Sequence, residues 1–181
     1  MKTLVSVCVI LTLASTAFAD FRSGVEAYQR GNDVTALHEF WTLAHQGHAG
    51  AQFNLGVLYA RGRGVAQDFS QAARWYRLAA EHGHALAQCN LGVLYEEGIG
   101  VIQNDEEASR WYRLAAEQGN AGGQNNLGRL YEEGRGVPRD FREARIWYQK
   151  AAAQGNTQAR GNLARVSAGA SEQRNEIQPQ Q

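Results

Sequence analysis

The stretch AGAQFNLGVLYARGRGVAQDFSQAARWYRLAAEHG, Ala49–Gly83, decides the fold, because it recurs twice at a fixed interval. ALAQCNLGVLYEEGIGVIQNDEEASRWYRLAAEQG starts at Ala85, and AGGQNNLGRLYEEGRGVPRDFREARIWYQKAAAQG starts at Ala121. A constant step of 36 residues marks a stacked solenoid, in which a unit that cannot close its own apolar face buries it against its neighbours. The repeats therefore run 49–84, 85–120 and 121–156.

Each repeat carries two helical stripes. Ala51, Leu55, Leu58 and Tyr59 fall at i, i+4, i+7 and i+8, one face of a helix, and Ala72, Trp75, Tyr76, Ala79 and Ala80 form a second. Gly62, Gly98 and Gly134 follow the first stripe, where a left-handed residue ends a helix. Asp68, Asn104 and Asp140 each stand three residues before Gln71, Glu107 and Glu143, the spacing of a capping box that starts the second helix. Gly56, Gly92 and Gly128 sit inside the first helix, where glycine costs about 1 kcal/mol against alanine. Their recurrence predicts a partner helix approaching too closely for a Cβ. Three of four tryptophans and six of seven tyrosines lie in these recurrent positions, which assigns them to the core.

The flanks are weaker copies. Residues 20–48 keep the Tyr28–Gly31 spacing but shorten the loop, as a capping unit does. Residues 157–167 restart the first-helix pattern with Asn162-Leu163-Ala164, and the polar, glutamine-rich 168–181 is expected to be disordered. Residues 1–19 read as a secretory signal peptide, with Lys2, the apolar run Leu4–Ala14 and a small-residue cleavage site at Ala17-Phe18-Ala19. The run is too short to span a bilayer, so no transmembrane segment is expected.

Charge gives no hold on nucleic acid: 18 basic residues balance 18 acidic ones, without a basic stripe. Removal of the leader leaves Cys89 alone, so no internal disulfide is expected and packing must supply stability. No Gly-x-Ser-x-Gly or Ser-x-x-Lys nucleophile motif occurs. Glu96-Glu97 and Glu132-Glu133 diverge by about 100° on a helix, and a solvated face is expected for them. His82-Gly83-His84 offers two imidazoles, but His48 and His84 stand one repeat apart, about 8–10 Å in packed helices, too far for one ion. Asn120 and Asn156 fill the same slot, which reads as a helix N-cap. Neither a metal nor a cofactor is expected.

The pattern A-x-x-x-N-L-G-x-x-Y-x-x-G-x-G-V, followed by A-x-x-W-Y-x-x-A-A-x-x-G, resembles the Sel-one-like repeat (SLR) family of tetratricopeptide-like proteins. The resemblance covers Ala49–Asn156. It implies an all-α, right-handed solenoid of antiparallel helix pairs whose first helices line a concave groove, and an adaptor that holds other proteins. Certain cysteine-rich relatives are linked to β-lactam binding or hydrolysis, which is the alternative reading. Their cysteine pairs are missing here.

Positions that vary between units are the natural recognition surface of a solenoid. On the first-helix stripe opposite the core these are Phe53, Val57 and Arg61, then Cys89, Val93, Glu96 and Glu97, then Asn125, Arg129, Glu132 and Glu133, with Arg165 on the last helix. The expectation is a protein or peptide anchored on Phe53 and Val57, its acidic or polar end held by Arg129 and Arg165. The invariant Asn54, Asn90, Asn126 and Asn162 are expected to bond within the stack. The whole reads as an exported, non-enzymatic scaffold, monomeric, periplasmic in a Gram-negative bacterium or else secreted, serving envelope assembly or regulation.

Overall fold

The computed structural model describes the backbone of residues 21–177 and the side chains of residues 21–168. The leader at 1–19 lies outside the described residues. Among these there are nine helices and no strand: α1 (21–29), α2 (Asp33–His45), α3 (Ala49–Arg61), α4 (Phe69–Glu81), α5 (Ala85–Glu97), α6 (Asp105–Glu117), α7 (Ala121–Glu133), α8 (Phe141–Ala153) and α9 (Thr157–Ile177). The fold is the all-α solenoid of helix pairs. It divides at His84–Ala85 into two compact units, α1–α4 and α5–α9.

In the first unit α2 packs on α3 and α3 on α4. Its core is Phe40, Leu43, Leu55 and Leu58 with the alanines Ala36, Ala44 and Ala51, flanked by Phe21, Tyr59 and Trp75. The shortened loop is real: three residues join α1 to α2, where seven join α3 to α4. In the second unit each helix packs on the next from α5 to α9. One cluster gathers Tyr112, Leu127, Leu130 and Trp147, and another gathers Tyr148, Ala151, Ala159 and Val166.

The mid-helix glycines have the packing reason their recurrence implies. A Cβ on Gly56, Gly92 or Gly128 would stand 2.6, 2.6 or 2.9 Å from the ring of Tyr76, Tyr112 or Tyr148. The Tyr112 ring cannot swing aside freely, because its hydroxyl donates to Glu96 at 2.9 Å. Gly92→Ala therefore sets a gain of about 1 kcal/mol in helix propensity against an overpacking cost of about 1–3 kcal/mol. A net loss is expected in thermal melting. Gly161→Ala, where a Cβ meets nothing within 4 Å, should instead raise the midpoint.

Two expectations need correction. Only half of each capping box forms. Asp68, Asn104 and Asp140 accept from the N–H groups of Gln71, Glu107 and Glu143. Their own N–H groups, however, donate to the carbonyls of Tyr59, Tyr95 and Tyr131 at 3.0, 2.9 and 2.8 Å. The carbonyl near the end of the preceding helix is held close by the loop, and it takes the donor that Gln71, Glu107 and Glu143 would otherwise take. Glu143 is thereby left to accept from Trp147 Nε1 at 3.1 Å.

The last helix also runs on to Ile177, past the boundary expected at 167 and through 168–177, part of the tail expected to be disordered; the end of that tail, 178–181, lies outside the described residues. Ala168, Ala170, Glu172, Gln173 and Arg174 include several of the best helix formers, so the helix continues although the apolar pattern has ended.

Candidate functional site

The residues singled out on the first-helix stripe separate into two classes once their neighbours are known. In the first unit, Phe53 and Val57 lie one turn apart on α3, both half-buried. Phe53 stacks on His84 at 4.6 Å between ring centroids and lies 5.8 Å from the Tyr76 ring. Burial pushes the His84 imidazole below its ordinary value, and the charge of His48 adds to this. Arg61, exposed at the end of α3, donates to the Tyr28 hydroxyl at 2.9 Å. Beside it Arg63 pairs with Asp33 at 2.5 Å, bonds the Tyr28 carbonyl at 3.0 Å and covers the Tyr28 ring at 3.9 Å.

In the second unit the charges are engaged with one another. Glu96 is only 7% exposed. Its Oε1 accepts from Arg129 at 2.6 Å and Arg135 at 2.9 Å, and its Oε2 accepts from Arg129 at 2.7 Å and Tyr112 at 2.9 Å. Arg135 also grips Asp105 through two bonds, at 2.9 and 3.1 Å. The arrangement repeats one unit later. Glu132, 8% exposed, accepts from the Tyr148 hydroxyl at 2.7 Å and from both terminal nitrogens of Arg165. The expected solvated face thus holds for Glu97 and Glu133, which are exposed, but not for Glu96 and Glu132. A helical repeat places the end of one first helix against the next, so the carboxylate meets an arginine 33 residues on.

The electrostatics agree with the geometry. Burial works to raise the Glu96 carboxyl, but the hydrogen bonds and charge of Arg129, with Tyr112 and Arg135, hold it below its ordinary value. Burial and the adjacent carboxylates push Tyr112 and Tyr148 well above the usual phenol range. The bonds to Glu96 and Glu132 raise Arg129 and Arg165. Arg129 and Arg165, the residues expected to hold a peptide's acidic end, are thus each paired with a glutamate in this structure.

The remaining positions are quieter. Cys89 is free and half-buried, and burial pushes its thiol up to about 11, which makes it a poor nucleophile at neutral pH. Val93 packs against the core. Asn125 is buried and accepts from Asn162 at 3.1 Å, while Asn126 accepts from Asn125 at 3.4 Å. The first bond joins α9 to α7, the second stays within α7, and neither reaches a loop. The N-cap slot is as expected: His48 Nδ1, Asn120 Oδ1 and Asn156 Oδ1 accept from Ala51, Gly123 and Ala159 at 3.1, 2.7 and 2.9 Å. Among the described residues no three His, Cys, Asp or Glu side chains gather as a metal site, and no helix is long and apolar enough to cross a membrane.

One recurrent device escaped the sequence reading. Gln52, Gln88 and Gln124 are 3–4% exposed. Gln52 and Gln124 donate back to the Ala44 and Ala116 carbonyls at 3.2 and 3.1 Å. The Oε1 of Gln52, Gln88 and Gln124 meets His82, Gln118 and Gln154 at 3.1, 2.6 and 2.8 Å. Its signal was its invariance at a fixed place in a buried stripe.

The family model of the Sel1 repeat matches at residues 49–84, 85–120 and 121–156. The chain belongs to the Sel1-repeat family. Proteins of this family typically serve as protein-interaction scaffolds. Among solved structures, a protective antigen of uropathogenic Escherichia coli strains displaying an SLR fold is 44% identical, with a TM-score of 0.76. The match covers 82% of this chain and 33% of that one. A Sel1 repeat protein from Oxalobacter formigenes is 38% identical at the same TM-score, covering 79% of this chain and 59% of that one. An exopolysaccharide production negative regulator of Rhizobium meliloti is 34% identical over 71 residues, 39% of this Sel1-repeat chain. The chain thus spans about a quarter of the regulator and a third of the antigen.

Proposed function

We propose that this chain is an exported, non-enzymatic Sel1-repeat scaffold that holds a protein or peptide partner by an apolar anchor on Phe53 and Val57. The observation that carries the reading is the contrast between the two units. Glu96, Arg129, Glu132 and Arg165 of the second unit are bonded to one another in pairs, whereas Phe53 and Val57 leave apolar surface half-open on α3. An apolar pair at i, i+4 suits a helical or extended segment that offers one large side chain. Export, with a periplasmic site of action in envelope assembly or regulation, rests on the leader-like residues 1–19. The likeness to a protective antigen is consistent with it. Asn125, Arg129, Glu132 and Arg165, bonded within the second unit, leave the set of contact residues.

The test compares capture from an envelope fraction by the wild type and by Val57→Glu, with circular dichroism and melting to verify the fold. Loss of the same partner from a folded V57E supports the reading. Undiminished capture overturns it, and turnover of a chromogenic β-lactam by the purified protein overturns the non-enzymatic part.

A further inference from the structure

All five histidines of the chain, His38, His45, His48, His82 and His84, precede Ala85 and so belong to the first unit. Their ring nitrogens are not used alike. His45 Nδ1 meets the Trp41 carbonyl at 2.7 Å, and His82 Nδ1 meets Gln52 Oε1 at 3.1 Å. Both partners are oxygens, so both nitrogens donate, and a second proton on the ring leaves those bonds intact.

His48 is the reverse case. Its Nδ1 accepts the Ala51 N–H at 3.1 Å and caps the first turn of α3. Only a ring unprotonated at Nδ1 can do this. A protonated ring would point N–H against N–H and set a positive charge at the positive end of the helix dipole. The same slot is filled by His84 before α5, and by Asn120 at α7 and Asn156 at α9, whose amide oxygens accept at 2.7 and 2.9 Å and do not titrate.

We propose that His48 makes the start of α3 a pH-sensitive joint: protonation of its ring releases the cap and loosens the first unit, while the asparagine-capped helices α7 and α9 are unaffected.

The surrounding charges leave this response intact. On α1, whose Phe21 stacks on His48 at 4.6 Å, Arg22 and Glu26 pair with each other at 3.1 Å. On α2, His45 is bonded to its own helix. α3 has no charged side chain before Arg61. At the end of α4 lie Glu81 and His82, and then His84. His84 works in the same direction, since burial holds its imidazole below the ordinary value and proximity to His48 adds to this. For such a base the unfolded chain takes up protons more readily than the folded one. Stability therefore rises with pH and is lost as pH falls through the imidazole range.

The test is amide exchange and thermal melting of the wild type and His48→Asn at pH 7.5 and 5.0. In the wild type at pH 5.0, protection of the Ala51 amide, corrected for intrinsic exchange, should fall roughly fivefold, the worth of a typical N-cap. Gly123 and Ala159 should hold theirs. His48→Asn should retain Ala51 protection at both pH values. Ala51 protection that follows Gly123 in the wild type, or a pH loss at Ala51 that survives His48→Asn, overturns the proposal. Should the variant fold poorly, the comparison of Ala51 with Gly123 inside the wild-type molecule decides alone.

Discussion

Glu96→Ala is expected to destabilise the second unit by about 2–3 kcal/mol. The substitution strips four hydrogen bonds at once, from two arginines and Tyr112. Removing one partner of a buried pair costs about 3–5 kcal/mol. The lower figure applies because Arg129 and Arg135 are 29% and 35% exposed and partly rehydrate. Urea unfolding followed by circular dichroism and tryptophan fluorescence measures it. The acid dependence has a defined sign. A carboxylate held below its ordinary value contributes stability above the usual glutamate range, about 4.3, and loses it as pH falls further. Glu96→Ala should therefore show a shallower loss of stability below pH about 4 than the wild type.

Gly136→Ala should be at least as damaging, by about 2–4 kcal/mol, for a backbone reason. Gly136 has φ +63°, and a Cβ there would overlap the Asp105 carbonyl and stand 2.8 Å from the Glu106 nitrogen. Backbone atoms at the start of α6 cannot move aside as a side-chain tip can. The loop would have to lift, stretching the Arg135–Asp105 bonds and the 3.2 Å bond from Ser109 Oγ to the Gly136 carbonyl. Gly119→Ala is the control. Its φ is +87°, but a Cβ there meets nothing within 4 Å, so it carries only the conformational cost, about 1 kcal/mol. Equal losses from the two variants in the same denaturant series would contradict the overlap.

Much of this was legible in the sequence because a repeat states each structural role several times. The period set the helix pairs, the mid-helix glycines announced a close approach by the partner helix, and the His48/Asn120/Asn156 slot announced N-caps. Burial of Glu96 and Glu132 was not legible from one helix at a time. On its own stripe each glutamate looks like one of an exposed acidic pair, and its partner lies 33 residues away in the next unit. The available signal was the spacing itself. Glu96 with Arg129 and Glu132 with Arg165 are both charged, while Ala60 and Val93, which hold the same two positions one repeat earlier, are both uncharged. Variation between units therefore marked two different things, an ionic clasp in the second unit and an open apolar pair in the first. The capping boxes erred for a related reason, since the Tyr59, Tyr95 and Tyr131 carbonyls that take the N-cap donors belong to the preceding helix.

That the charged first-helix residues join repeats and do not await a ligand is tested most directly by a double-mutant cycle on Glu96 and Arg129. Unfolding free energies are compared for the wild type, Glu96→Ala, Arg129→Ala and the double variant, all without a partner present. A coupling energy of about 1.5–3 kcal/mol is predicted. Losses that simply add, with coupling under about 0.5 kcal/mol, would contradict the clasp and return Arg129 to the partner-binding face.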